Sequence, residues 1–533
     1  MVKKEKIWIA NNEQGENIFI DPKMANRHGL IAGATGTGKT VTLKVLAEAF
    51  SDMGVPVFLA DVKGDLSGMA AAGIDSEDMQ KRISKFSLGE AGFRFTRYPV
   101  TFWDVFGNKG IPLRTTVSEM GPLLLGRILG LNDLQRDILS IVFKIADDNG
   151  LLLIDTKDLK AMLNYISENN ADFAAQYGNI SKVSIAAIVR AIVSLEIAGG
   201  DKFFFEPALN IRDFFSTGLD GRGMINILDS TSLINNGTLY AVFLLWLMSE
   251  LFETLPEVGD LDRPKMVFFF DEAHLLFNDT PKILMERIEQ VVKLIRSKGV
   301  GIYFVTQNPR DIPDGVLAQL GNKIQHALHA YTPADMKGLK AAADSFRVNP
   351  DFKTIDVIQQ LGTGEAVCSF LDETGTPGVC QKVSILPPQS YMGGISDDIR
   401  DREIKQSILY TKYFEAHDPD SAYEFFERKG IADMEEREAL AQAKLQEKEA
   451  LAQAKLQEKQ AAAALKEAEK KKAQEAREKQ RVVKSVGNSV AGTVGREVGK
   501  NVGGQFGKFG KTLGGNLGAS LGRGLLSTFI KGR

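Results

Sequence analysis

The chain has 533 residues, 44% of them apolar and 25% charged, with a formal net charge of −3. That length suggests three or four units, and the composition is that of a soluble globular protein. The near-neutral balance excludes a chain that is basic throughout, so any nucleic-acid surface must be local; the two cysteines, Cys368 and Cys380, have no metal-like spacing and suit a reducing cytosol.

The first residues lack the apolar core of a signal peptide. The strongest apolar run, 240–252, is too short to span a bilayer and reads as a buried helix, so a cytoplasmic location is expected. Residues 6–10 and 18–20 predict two small strands, a short N-terminal β segment within 1–27 that leads into the core.

At Gly33, Ala34, Thr35, Gly36, Thr37, Gly38, Lys39 and Thr40 the sequence matches G-x-x-x-x-G-K-[ST] at every fixed position. An apolar run at 28–32 precedes it and a helical pattern at 41–50 follows. Glycines let the backbone N–H groups point inward at phosphate oxygens, and the helix N-terminus adds positive charge. Lys39 would reach the β- and γ-phosphates and the Thr40 hydroxyl would ligate Mg²⁺, so ATP and Mg²⁺ are the expected ligands.

Residues 55–60 read as a buried parallel strand ending in Asp61-Val62-Lys63-Gly64-Asp65. Carboxylates and a lysine there stand on the ligand-binding edge of an α/β sheet, or form an ordinary polar loop. A strand is predicted at 98–105, and then helical patterns dominate 115–200, an insertion between core strands. Strand signals return at 223–228. Residues 266–270 are an apolar strand ending in Asp271 and Glu272, the second half of a phosphate-loop NTPase: Asp271 for the Mg²⁺ shell, Glu272 to polarise the attacking water. A helix over 281–297 leads to a strand at 300–305 tipped by Gln307, placed to sense a γ-phosphate or simply to close the turn before Pro309.

The phosphate loop, FFFDEAH at 268–274, GVGIYFVTQNP at 299–309 and LGTGEAVCSFLDE at 361–373 together resemble the HerA/FtsK superfamily of P-loop ATPases, most closely the bacterial YjgR-type HerA-like family. The resemblance covers about residues 5–390. It implies an α/β fold with a RecA-like P-loop NTPase core over 28–390, assembled as a ring, expected to be a hexamer, that translocates or unwinds double-stranded DNA. It also implies an arginine supplied in trans. Arg347 is preferred, with Arg310 and Arg296 as alternatives. HerA carries an N-terminal β-barrel; only 32 residues precede Gly33, so that barrel, and the nuclease-recruiting surface with it, is expected to be missing.

Beyond Pro387 the globular signal fades. Residues 391–430 predict an amphipathic helical segment with aromatic residues available to pack. An eleven-residue direct repeat, 438–448 and 449–459, opens a long charged helix over 431–482, which reads as an exposed single helix or as a coiled coil. The last segment, 483–533, is a Gly-rich basic tail with fourteen glycines, eight Lys or Arg and one acid. It suits DNA phosphates, an anionic membrane surface, a protein partner or no fixed structure. The leading expectation is a DNA-translocating ATPase. The alternatives are a P-loop ATPase that remodels a protein partner without acting on DNA, and a nucleotide-gated scaffold.

Overall fold

A computed structural model describes residues 2–3, 5–233, 237–259, 261–277 and 282–432, with further helical positions up to 450. In chain order it contains β1 (Val2–Lys3), β2 (Lys6–Asn12), β3 (Asn17–Ile20), β4 (Gly29–Ala32), α1 (Lys39–Asp52), β5 (Val57–Asp61), α2 (Glu77–Lys85), β6 (Val100–Asp104) and β7 (Ile111–Pro112). Helices α3 (Val117–Ile128), α4 (Asp133–Asp148), α5 (Thr156–Glu168), α6 (Asn170–Tyr177) and α7 (Lys182–Ile197) follow. The remainder is β8 (Ile225–Asp229), α8 (Gly237–Thr254), β9 (Met266–Phe270), α9 (Lys282–Ile295), β10 (Val300–Thr306), α10 (Asp314–Leu317), β11 (Asn322–Gln325), α11 (Pro333–Asp344), α12 (Thr354–Gln360), β12 (Glu365–Ser369), β13 (Gln381–Ile385), α13 (Asp397–Gln406) and α14 (Ile408–Tyr413).

All the strands join one sheet in the order β1-β2-β13-β12-β11-β4-β10-β9-β5-β8-β6-β7, with β3 beside β2. From β11 to β7 every pairing is parallel; from β11 back to β1 every pairing is antiparallel. The parallel strands β4, β5, β6, β8, β9 and β10 are buried along their whole length, because helices cover both faces. The antiparallel side has exposed positions in β2 and half-exposed ones in β13. The two predicted N-terminal strands thus extend the sheet.

Helices α3–α7 pack on one another between β7 and β8. The chain beyond β13 returns to the core. Glu48 of α1, fully buried, accepts hydrogen bonds from the backbone N–H groups of Gln389 and Ser390 at 2.8 and 3.0 Å. Arg400 of α13 pairs with Asp229 at 2.9 Å, and the Asn210 N–H donates to Tyr413 Oη at 3.0 Å. Asp158 of α5 accepts from the Tyr423 N–H at 2.8 Å. The segment after Pro387 is held by apolar packing as well, since Ile404, Tyr413 and Ala422 are buried in the core and Phe426 stacks on Tyr165, so aromatic residues of the expected amphipathic segment do pack.

The chain divides into the compact unit Met1–Glu436 and a second unit, Arg437–Arg533. Of the latter, residues 438–444, 446–448 and 450 are helical. Residues 431, 432 and 434 are helical too; the rest of the long charged helix expected over 431–482, and the whole Gly-rich tail at 483–533, lie outside the described residues.

Candidate active site

The phosphate loop leaves the C-terminal end of β4. The Gly33 N–H donates to Thr306 O at 3.2 Å and the Ala34 N–H to Ala327 O at 2.8 Å, so the ends of both neighbouring strands fix the loop's first residues. Thr37 Oγ1 donates to Ala34 O at 2.7 Å across the loop. Gly33 has φ 154° and Gly38 φ 112°, and a Cβ on Gly33 would lie 2.5 Å from the Cβ of His326. Both conformation and space require glycine there. Lys39 is buried, with Nζ donating to Gly33 O at 2.7 Å and Ala34 O at 3.0 Å. Its ammonium rests on loop carbonyls, neutral acceptors that a phosphate would outcompete.

β10 alone separates β4 from β9. Asp271 and Glu272 at the end of β9, and Gln307 at the end of β10, therefore share one edge of the sheet with the loop. Asp271 is buried, and its Oδ2 has no hydrogen-bond partner among the described residues. Burial, reinforced by the neighbouring Glu272 carboxylate, pushes its pKa up to about 6. Glu272 has φ 47° and ψ 49°, a left-handed conformation unusual for a residue with a side chain. Its Oε1 meets Lys63 Nζ at 2.5 Å and its Oε2 accepts from Gln307 Nε2 at 3.4 Å. Burial pushes the Glu272 carboxyl up, but the Lys63 ion pair and the Gln307 bond outweigh it and hold the pKa below the usual range. His274 Nδ1 lies 3.3 Å from Oε2 without hydrogen-bond geometry.

An unpartnered, buried carboxylate oxygen fits a divalent cation better than it fits isolation. With the half-buried Thr40 as a second oxygen donor, the set is hard and suits Mg²⁺.

Lys63 is the lysine that the sequence placed on the ligand-binding edge after β5 without a specific role, and here it meets Glu272. Two further residues were not singled out by sequence. Thr42 and His326 form a buried contact of 2.8 Å beneath the loop, and His326 Nδ1 lies 2.9 Å from Glu365 O. Burial lowers the His326 pKa to about 4, which keeps the ring neutral. The glycine-rich LGTGEA stretch was the available signal, since the Gly364 N–H donates to Thr37 O at 3.0 Å.

The arginines are placed elsewhere. Arg347, exposed just after α11, donates from Nη1 to Pro377 O at 3.1 Å. A groove of about 970 Å³ runs beside it, lined by Lys340, Phe346, Asn349 and Phe352 among others, and by none of the loop residues. Arg310 is exposed three residues beyond Gln307, and Arg296 is half-buried at the end of α9.

The profile of the family described as helicase HerA-like C-terminal matches residues 6–511. The chain belongs to this family. Its RecA-like α/β core is thereby accounted for. Relatives of this HerA-like chain include the DNA double-strand break repair helicase HerA of Sulfolobus acidocaldarius, 20% identical over 66% of this chain and 64% of that one. The protein of the same name from Sulfurisphaera tokodaii is 22% identical over 64% of this chain and 62% of that one. The chain thus spans less than two thirds of the length of either. Among solved structures, the unbound conjugative coupling protein TrwBdeltaN70 aligns with a TM-score of 0.49 at 14% identity, covering 75% of this chain and 93% of that one. No helix among the described residues is long and apolar enough to cross a membrane.

Proposed function

We propose that this HerA-like chain is an ATP-hydrolysing motor that works as a ring, a hexamer, on double-stranded DNA. The observation that carries the reading is the Asp271–Glu272 pair at the end of β9, one strand away from the phosphate loop. A protein that only bound nucleotide would need the cation ligand but no second acid beside it.

In this reading the backbone N–H groups from Gly33 to Thr40 and the Lys39 ammonium hold the phosphates. Thr40 and Asp271 hold Mg²⁺, which when bound neutralises charge on the phosphate oxygens. Glu272 takes a proton from water as the water oxygen bonds to the γ-phosphorus. The bond from that phosphorus to the bridging oxygen breaks, and ADP leaves with the electron pair. Gln307, already hydrogen-bonded to Glu272, orients the water against the γ-phosphate. Arg347 serves a neighbouring subunit's nucleotide, a role that calls for an exposed position away from its own loop. Arg310 and Arg296 are the alternatives.

Duplex DNA as the polymer is supported by the family and by relatives named as DNA double-strand break repair helicases. The test is steady-state ATP hydrolysis with and without duplex DNA over a salt series. Several-fold stimulation, absent in Glu272→Gln, is expected. Hydrolysis indifferent to DNA would overturn the polymer and favour an ATPase that remodels a protein partner.

A further inference from the structure

An ammonium paired to the Glu272 carboxylate weakens it as a proton acceptor and takes up one of its lone-pair positions. Oε1 is held by Lys63 at 2.5 Å and Oε2 by Gln307 at 3.4 Å. Gln307 belongs to the proposed machinery; Lys63 does not. It stands on the turn after β5, the strand on the far side of β9 from the phosphate loop.

That turn is built rather than loose. Asp61 Oδ1 accepts from the Gly64 N–H at 2.7 Å and Oδ2 from the Leu66 N–H at 3.1 Å, while Ser67 Oγ donates to Gly64 O at 2.8 Å. The backbone on either side of Lys63 is fixed, yet its side chain is 43% exposed on a flexible stem. The Glu272 side chain is 6% exposed and carried by a left-handed backbone that leaves it little freedom. Of the two partners, the lysine is the one that can leave.

The turn is also joined to the helix that follows the phosphate loop and to the segment before α13. Lys44 of α1, the helix that begins with Lys39, donates from Nζ to Asp65 O and Tyr391 O, both at 2.8 Å. The Ile395 N–H, just before α13, donates to Ser67 Oγ at 3.2 Å. α1 and residues 391–395 are therefore hydrogen-bonded directly to the turn that carries Lys63.

We propose that Lys63 is a restraining residue of the hydrolysis assigned above: its ion pair with Glu272 occupies the base in a resting subunit, and hydrolysis requires that pair to open. Lys63 acts through Glu272 and is a positioning residue. The inference rests on Glu272 being the base of an ATPase and adds the control of that base.

The experiment compares wild type, Lys63→Met, Lys63→Arg and Glu272→Gln, each without DNA and with duplex DNA. Lys63→Met should raise the basal kcat by roughly five-fold, the rate equivalent of losing one partly exposed ion pair, with KM for ATP little changed. Its stimulation by DNA should shrink correspondingly. Lys63→Arg, which keeps the pair, should stay near wild type. In the nucleotide-free protein, the melting shifts of Lys63→Met and Glu272→Gln should fail to add in the double variant. A basal kcat that falls or stays unchanged in Lys63→Met, or melting shifts that add, would overturn the restraint. If wild type hydrolyses ATP and Glu272→Gln does not, that failure leaves the ATPase reading standing; if wild type and Lys63→Met are both inactive in every condition, both fail.

Discussion

Thr42 Oγ1 and His326 Nε2 lie 2.8 Å apart and join the first turn of α1 to the end of β11. Since Glu365 O, 2.9 Å from Nδ1, can only accept, Nδ1 carries the ring proton and Nε2 accepts from Thr42. The imidazole thus links the helix behind the phosphate loop to the start of β12. His326→Ala removes both bonds and leaves the Thr42 hydroxyl only the longer bond to Gly38 O at 3.3 Å. We expect a loss of about 2 kcal/mol in stability, measured by denaturant unfolding, with weaker nucleotide binding by the folded variant. Unchanged stability and affinity would contradict the linking role.

Asp271→Asn keeps the shape of the buried side chain and removes its charge. The Mg²⁺ concentration giving half-maximal hydrolysis should rise about ten-fold or more, the typical consequence of weakening a cation's ligand set. A Mg²⁺ titration of the variant reads this directly. An unshifted midpoint would remove Asp271 from the cation shell.

What was legible in the sequence, and what was not, follows from chain separation. The phosphate loop, β9 with its two acids, and β10 with Gln307 are contiguous stretches whose composition and spacing carry the information locally. Lys63 and Glu272 are 209 residues apart, Thr42 and His326 are 284 apart, and Arg400 and Asp229 are 171 apart. Each pair exists because the sheet order brings two strand ends or a helix and a strand together, and no local pattern encodes that order. The segment after Pro387 was hard to read for a related reason. Glu48 holds it by backbone N–H groups, whose presence is independent of residue type.

The Arg400–Asp229 pair is nearly sealed, with side-chain exposures of 8% and 4%. Removing one partner leaves the other charge buried and uncompensated. Arg400→Ala should therefore cost about 3–5 kcal/mol, read by denaturant unfolding. It should also loosen α13 from β6 and speed proteolysis after residue 395. A cost below 1 kcal/mol would mean that α13 contributes little to the core.

His28, fully buried before β4, accepts a hydrogen bond at Nδ1 from the Ile302 N–H at 3.0 Å. Burial lowers its pKa from 6.5 to about 4. Between those values the unfolded chain binds a proton that the folded protein refuses, so this contribution is complete above pH 6.5 and is lost as pH falls toward 4. By pH 5 the loss is about 2 kcal/mol. Asp61, its pKa raised to about 7, acts in the opposite sense but equally in both proteins compared. The stability difference between wild type and His28→Gln should therefore narrow by about 2 kcal/mol from pH 7.5 to pH 5. A difference independent of pH would contradict a neutral, buried His28.

Conversion of ATP hydrolysis at Glu272 into movement along duplex DNA is read by displacement of a third strand from a DNA triplex. The wild-type chain should strip the third strand in an ATP- and Mg²⁺-dependent manner. Lys39→Ala and Glu272→Gln should leave the triplex intact, while Glu272→Gln still binds nucleotide. A wild-type protein that hydrolyses ATP but never displaces the strand, at any salt concentration at which it binds the duplex, would contradict the account.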